Sequence, residues 1–178
     1  MNGQVGGTRG IRIALAVCIV CAVVGCGSQT VEGNPTAATQ SGQPSFDPCT
    51  LPDQALVAAG VDPATQDAGV FGVQMQGWEV CGWTGDWFFL DVFSTTRGIE
   101  DVRGNPRNTD FAPVAVGSRD AFTYREVTDE ERGTCDVAFG TENQSILVRV
   151  ATKGSRETLE DPCIVAVRSA NILDPNLP

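Results

Sequence analysis

The chain has 178 residues with 12 basic and 22 acidic side chains and no histidine, which gives a formal net charge of −10. This length allows one domain rather than two, and the acidity gives no electrostatic attraction for nucleic acid or for an anionic lipid surface. The missing histidine excludes Ser-His-Asp and Cys-His catalysis, His-ligated metals and an imidazole acid–base switch.

The first 25 residues have the pattern of a targeting segment. Arg9 and Arg12 precede an apolar run over residues 13–24, and no acidic residue occurs before Glu32. A run of about 12 residues fits the core of a signal peptide and is too short to cross a bilayer, which takes about 20 residues in a helix. We therefore expect a lipoprotein signal peptide at residues 1–25 and exclude it from the fold prediction.

The apolar run ends in Val23-Val24-Gly25-Cys26, which resembles the bacterial lipobox. The resemblance implies cleavage before Cys26 by signal peptidase II, a diacylglycerol thioether on its sulfur and acylation of the new amino group. Several acyl chains form a durable anchor, so the predicted location is the extracytoplasmic face of the cell membrane, with the membrane as one partner. An ordinary secretory peptide with a chance cysteine is the alternative.

Residues 26–45 are predicted to be the lipidated cysteine and a flexible tether. Most of this segment is Gly, Ser, Thr, Gln, Asn, Ala and Pro, and Val31 is its only large apolar residue. Such a composition cannot bury enough surface to offset the chain entropy, and it gives a root-mean-square reach on the order of 25 Å. A single extracytoplasmic domain is then expected over residues 46–178.

The tripeptide Asp-Pro-Cys occurs twice, at residues 47–49 and 161–163, and each copy precedes a helical apolar pattern. Asp can cap the free N–H groups at the start of a helix, and Pro is well tolerated at the first helical position. The first helical pattern ends at Gly60, and the second extends to about Leu173, before a proline.

Between these helices the apolar pattern shifts to a period of two, which is typical of half-buried strands. The clearest alternation places Ile146, Val148 and Val150 on one face of a strand. The sequence therefore predicts an α+β fold in which an antiparallel sheet is flanked by N-terminal and C-terminal helices. The predicted extended segments are residues 78–83, 87–95, 112–116, 122–127, 134–140 and 145–151, with a short helical turn at 98–102.

The seven cysteines divide by compartment. Cys18 and Cys21 lie in the segment expected to be removed and Cys26 carries lipid, which leaves an even number outside the membrane, where disulfides persist. A Cys₄ zinc site is the alternative, but zinc ligands usually come in close pairs. We predict bridges that tie the start of each helix to a neighbouring strand, each worth roughly 3–4 kcal/mol. These bridges are Cys49–Cys81 and Cys135–Cys163.

The order of these motifs resembles one family. The motifs are the lipobox cysteine, a polar tether, Asp-Pro-Cys, Cys-x-Trp at 81–83, Gly-x-x-Asp-Ala at 117–121, a later strand cysteine, and Asp-Pro-Cys-x-x-Ala followed by a terminal Leu-Pro. Over nearly the whole mature chain they resemble the actinobacterial envelope lipoproteins of unknown function that include mycobacterial LprB and LprC. The resemblance implies a lipid anchor and an envelope location, and it brings no catalytic residues.

The sequence offers little for catalysis. It contains no Gly-x-Gly-x-x-Gly, Walker or EF-hand loop, and the mature chain has no thiol nucleophile once its cysteines are bonded. Paired acids can cleave glycosides or hold Ca²⁺, but a solvated loop is the favoured interpretation of the densest acidic run. We predict no catalytic residues, no metal and no cofactor. The acidic run consists of Glu126, Asp129, Glu130 and Glu131.

An aromatic hairpin is the candidate binding surface. Alternation predicts that Trp87, Phe89 and Phe93 share one face of a strand, so that one face meets a helix and the other is free for a partner. Such a face could stack on sugars or take up an acyl chain, although large aromatics commonly fill the core, and the core is the favoured interpretation overall. The candidate residues are Trp78, Trp83, Trp87, Phe89 and Phe93.

Three functions are compatible with these patterns. The first is a non-catalytic binding module for an envelope component, which could be a protein, a glycan or a lipid. The second is an accessory subunit of an envelope complex. The third and least favoured is a hydrolase that cleaves wall glycans with two facing carboxylates. Nucleic acid is not an expected partner of such an acidic chain.

Overall fold

The computed structural model describes residue 42 and residues 44–69 and 72–178. Short helices separate runs of three and four strands along the chain, and the longest helix lies near its C-terminal end. In chain order the elements are a 3-10 turn Pro48–Thr50, helix α1 Asp53–Ala58, strands β1 Val61–Ala68, β2 Trp78–Gly85 and β3 Phe88–Thr95, helix α2 Ile99–Arg103, strands β4 Asn108–Val116, β5 Arg119–Glu126, β6 Thr134–Gly140 and β7 Ser145–Thr152, helix α3 Pro162–Leu173, and a 3-10 turn Asp174–Asn176.

The seven strands form one antiparallel sheet in the order β1-β2-β3-β7-β6-β5-β4. Strands β1 to β3 form one meander and β4 to β7 form another, with α2 between them in sequence. The two meanders join at the centre, where β3 and β7 pair along their whole length. This arrangement, with helices near both ends of the domain, confirms the predicted α+β class.

One face of the sheet packs against α3 and forms the main hydrophobic core. The predicted alternation in β7 is confirmed, because Ile146, Val148 and Val150 all lie in this core. Val165 and Ala170 of α3 pack into the same cluster. In β3, β6 and β7 nearly every position that faces the helix is apolar. The resulting alternation made these strands predictable from the sequence.

The two Asp-Pro-Cys copies begin helical segments as predicted. The Asp47 carboxylate accepts a hydrogen bond from the Cys49 N–H at 2.8 Å, and Asp161 accepts one from the Cys163 N–H at 2.7 Å. Both predicted disulfides are confirmed. Cys49 pairs with Cys81 at a sequence separation of 32, and Cys135 pairs with Cys163 at a separation of 28. Each bridge ties a helix start to a sheet strand.

Two features differ from the sequence prediction. The first helical segment is divided, because Pro52 separates the 3-10 turn from α1. Strand β1 has no counterpart in the prediction, since Pro63 and its polar neighbours lack a strand pattern. Its pairing with β2 shifts register, and the Thr65 hydroxyl accepts a hydrogen bond from the Thr84 N–H at 2.8 Å. An edge strand can tolerate such pairing because one side needs no partner.

The predicted signal peptide and the acylated Cys26 lie outside the described residues. Of the predicted tether, Gly42, Pro44 and Ser45 are described, and Pro44 is already buried. The Ser45 hydroxyl lies 3.5 Å from the Gln144 side-chain oxygen, to which it donates a hydrogen bond. Within the described part of the chain, no helix has the length and apolar character needed to cross a membrane.

Candidate functional site

The sheet face opposite α3, here called the open face, carries charged side chains at its centre. Asp91 lies between Leu90 and Val92 in β3, and those two apolar neighbours point into the core under α3. Because successive side chains of a strand point to opposite faces, Asp91 projects from the open face. Asp136 and Arg149 occupy the corresponding alternate positions of β6 and β7.

These charged residues belong to one row of directly paired positions that crosses six strands and also includes Gly82 and Tyr124. In the observed register each member lies directly opposite the next on the neighbouring strand. Directly paired residues of adjacent strands have interacting side chains, so the row acts as one electrostatic unit. From β1 to β5 its members are Asp67, Gly82, Asp91, Arg149, Asp136 and Tyr124, and we call it the polar row.

Arg149 is the centre of the ion pairs in the polar row. Its Nε lies 3.0 Å and 3.1 Å from the two carboxylate oxygens of Asp136, and its Nη2 lies 2.8 Å from Glu126 Oε1. Its guanidinium also lies 5.6 Å from the centre of the Phe93 ring. Two carboxylates therefore neutralise this single cation and hold it in one orientation.

Burial strengthens these interactions. Asp136 is completely buried, and desolvation raises its pKa although the Arg149 charge opposes the shift. The Tyr124 hydroxyl donates to Asp136, and burial together with the Asp136 charge raises the pKa of that hydroxyl. Tyr124 is therefore expected to be neutral over the physiological range, and the Arg149 guanidinium favours the ionised form of Asp136 against the effect of burial.

Asp91 differs from the other acids of the row. Burial raises its pKa to about 6, with Arg149 acting in the opposite direction and Asp136 and Asp67 adding to the increase. No side chain or N–H group among the described residues donates a hydrogen bond to this carboxylate. Gly82 leaves the space that the carboxylate occupies, since a Cβ at residue 82 would collide with it. The polar row thus presents one partly buried acceptor without a protein donor.

Two adjacent cavities lie on the open face. The larger has a volume of about 560 Å³ and the smaller about 520 Å³, and both fall within the range of small-ligand sites. Phe93 and Arg149 contribute to both. The larger cavity is lined further by Trp78, Arg97, Asn105, Asn108 and Tyr124, and the smaller by Asp67, Val80, Gly82, Phe89 and Asp91.

Helix α2 and strand β2 form the walls of the larger cavity. Trp78 packs edge-on against Phe93 with their ring centres 6.2 Å apart. Opposite them Val102 of α2 packs in a second hydrophobic cluster, and the Asn108 side-chain amide donates to the Val102 carbonyl at 2.9 Å. The cavity therefore combines aromatic surface with side-chain amides.

The structure separates the five aromatic residues that the sequence singled out. Trp78, Phe89 and Phe93 lie on the open face, and Phe89 is 42% exposed. Trp83 is only 2% exposed and lies in the core under α3. Trp87 precedes β3, packs against that same core and lies 5.1 Å from the Phe88 ring. The prediction that Trp87 shares a face with Phe89 is corrected, because strand alternation begins only at Phe88.

The acidic run divides in a similar way. Glu126 belongs to the open face through its ion pair with Arg149. Asp129 accepts hydrogen bonds from Gly133 and Thr134, which lower its pKa although burial opposes the shift. Glu130 and Glu131 are exposed, as a solvated loop requires. In the described part of the chain, no group of three His, Cys, Asp or Glu side chains could hold a metal ion.

The sequence patterns predicted the aromatic hairpin but missed the polar row. The signal was a lone charge inside an apolar strand, as with Asp136 between Cys135 and Val137. Arg149 lies in the same way between two valines. A charged side chain on a strand can face bulk solvent or can lie opposite a charged side chain of the next strand. Only the register between the two strands decides which of these occurs.

Comparison with known proteins gives a family without an assigned activity. The chain belongs to the family described as "protein of unknown function (DUF3558)", whose profile matches residues 21–176. No curated protein matches the chain, and no solved structure does.

Proposed function

We propose that this protein is a lipid-anchored, non-catalytic binding module of the cell envelope whose binding site is the open face. The observation that carries the proposal is the polar row, which lies under two adjacent cavities on a sheet face that α3 does not cover. Cavities with an aromatic wall and a few fixed polar groups are typical of ligand sites. A second argument is energetic. Buried ion pairs seldom stabilise a fold more than apolar packing would, so stability alone does not explain the charged side chains on this face.

The proposed location rests on the lipobox-like sequence before Cys26 and on the resemblance of the motif order to that of the LprB and LprC group of actinobacterial lipoproteins. We expect a Cys26→Ser variant to keep its leader and to carry no acyl mass, because without the thioether neither cleavage before residue 26 nor acylation proceeds. Mass spectrometry of the purified protein measures both changes. An unchanged acylated mass in the variant would contradict the anchor.

Binding is favoured over catalysis because most charged side chains at the centre of the open face already form ion pairs or hydrogen bonds with one another. Asp136, Glu126 and Tyr124 all interact with Arg149 or with each other. A general acid or base must instead reach a substrate proton. An accessory subunit of an envelope complex would use the same face, with a protein as the occupant.

A carboxylate-dependent hydrolase is the second candidate, and one observation favours it. Asp67 and Asp91 lie on either side of Gly82 in the smaller cavity, so their backbones are about 10 Å apart by strand spacing. The pKa of Asp91 is raised to about 6, which suits a general acid. Release of reducing sugar from wall glycan by the wild type but not by Asp91→Asn would favour this candidate.

Site-specific photocrosslinking tests the proposed site. A benzophenone amino acid at Met75, which lines the larger cavity and is 37% exposed, should capture envelope material in living cells. The matched control is the same substitution at Ile164, which is 56% exposed on α3. Adducts at residue 75 and none at residue 164 are expected. Adducts at residue 164 alone, or none at either position, would contradict the open face as the binding site.

A further inference from the structure

We infer that the occupant of the open face is an uncharged glycan chain that lies along the polar row. This inference rests on the proposed function and assigns a ligand class to that same site. It commits to a carbohydrate over an acyl chain, an anionic headgroup or a peptide. Three properties of the site favour a carbohydrate: the charge of the cavity linings, their unsatisfied hydrogen-bonding capacity, and the irregular edge strands of the sheet.

The charge of the linings disfavours an anionic ligand. In both cavities the carboxylates outnumber the guanidinium groups, and the shared Arg149 is already neutralised by Asp136 and Glu126. Arg97 is exposed at the rim of the larger cavity, where water screens its charge. A phosphate or carboxylate ligand would therefore meet net repulsion along most of the row.

The hydrogen-bonding groups favour a ligand that both donates and accepts. The Asp91 carboxylate has no donor among the described residues, so a ligand hydroxyl can complete its hydrogen bonding. In the larger cavity Asn105 and Arg97 supply donors for ligand oxygens. Sugar hydroxyls have both capacities, whereas an acyl chain would cover the charged row without replacing the water it displaces.

The aromatic side chains supply the apolar part of the same recognition. Trp78, Phe93 and Phe89 lie beside the polar row on the open face. The C–H face of a pyranose ring packs on an aromatic ring while its equatorial hydroxyls point outward to polar groups. Phe89, Asp91 and Phe93 occupy successive open-face positions of β3, so this strand offers ring surface on both sides of a carboxylate.

The sheet edges disfavour a peptide that adds as another strand. β4 contains Pro113, which lacks an N–H donor, and Asp110, whose φ of 56° interrupts the extended backbone. β1, the opposite edge, contains Pro63 and a register shift. Edges of this kind resist strand addition, so the occupant lies across the face. The row spans six strands, about 24 Å at the usual strand spacing, a length suited to an oligosaccharide.

Calorimetric titration of the detergent-solubilised full-length protein tests the ligand class. The probes are three preparations: the uncharged oligosaccharide pool released from the organism's own envelope, the phosphorylated oligosaccharide pool, and phosphatidylglycerol in micelles of the same detergent. We expect saturable binding of the uncharged pool alone. Trp78→Ala and the isosteric Asp91→Asn should each weaken that binding by tenfold or more, and Ile164→Ala should leave it unchanged. Circular dichroism of each variant confirms that the fold is intact.

The outcomes separate the ligand class from the proposed function. Crosslinks at residue 75 with no binding of the uncharged pool would overturn the glycan and leave the binding module standing. Binding of the phosphorylated pool or of phosphatidylglycerol micelles with equal affinity would also overturn it, as would identification of the crosslinked partner as a protein. The absence of any crosslink at residue 75 would instead remove the proposed site itself.

Discussion

The two faces of the sheet bury different chemistry in the same strands. On the α3 side, β3, β6 and β7 present apolar residues that pack into one core held by both disulfides. On the open face the same three strands present Asp91, Asp136 and Arg149. Apolar burial stabilises a fold, whereas a buried ion pair approximately balances its own desolvation cost. The comparison teaches that most of the apolar burial lies on the α3 side, with a smaller second cluster on the open face, which leaves the charged centre of the open face available for recognition.

Removal of the disulfides should have the largest effect, because both bridges fix the helices to the stable face. Cys135→Ala with Cys163→Ala should lower the free energy of unfolding by about 3–4 kcal/mol, the value for a loop near 30 residues. Removal of both bridges should abolish the cooperative urea transition, since the combined loss approaches the stability of a typical domain. A cooperative urea transition in the variant that lacks both bridges would show that the α3 side is stable without them, contrary to this comparison.

Loss of Arg149 should cost about as much as loss of one bridge, although Arg149 lies on the open face. Arg149→Ala leaves the fully buried Asp136 without its partner, for which we expect a loss of about 3–5 kcal/mol at pH 7. The loss should shrink near pH 4, since protonation relieves the unpaired carboxylate. Arg97→Ala is the matched control, because that exposed arginine lines the same cavity. Urea denaturation at both pH values measures the difference, and equal losses for the two variants would be contrary evidence.

Leu90 and Asp91 are adjacent in β3 but point to opposite faces of the sheet, so their substitutions compare the two faces directly. Leu90→Ala removes a completely buried side chain from the α3 side and should lower the free energy of unfolding by about 2–5 kcal/mol. Thermal and urea unfolding measure this loss. A loss below about 1 kcal/mol would show that the core does not depend on this face.

Asp91→Asn, one residue along, should have a smaller effect of opposite sign. The folded-state pKa of about 6 exceeds the ordinary value of 3.8, so between those pH values the folded state binds more protons than the unfolded state. Asp91 therefore makes the free energy of unfolding fall as pH rises. At pH 7 the Asn variant should be more stable by about 1–3 kcal/mol, with a flatter pH profile. A destabilised variant would show that Asp91 supports the fold.

Much of the fold could be predicted because its signals are local. The Asp-Pro-Cys copies marked both helical starts through capping chemistry, and the period of two marked β2, β3, β6 and β7. The bridges followed because each joins a helix start to a strand. Strand β1 was not predicted, because its residues, which include Pro63 and two aspartates, have no strand pattern of their own. This segment is extended because it pairs with β2 at the edge of the sheet.

Only the aromatic part of the candidate site could be predicted from the sequence, because the rest depends on strand pairing. Trp78, Phe89 and Phe93 drew attention by their size, and the structure places them on the open face. Trp83 and Trp87 have the same chemistry but lie against the core. The polar row depends on the register of six strands, and register is a tertiary property set by the whole sheet.

Fluorine NMR of the protein labelled with 5-fluorotryptophan tests the central claim most directly. The three tryptophans sample the two faces, because Trp78 lines the open-face cavity while Trp83 and Trp87 pack against the core under α3. On addition of the uncharged envelope oligosaccharides, the Trp78 resonance should shift in a saturable way and the other two should stay in place. A shift of Trp87 without Trp78, or three unchanged resonances at saturating concentration, would contradict the account.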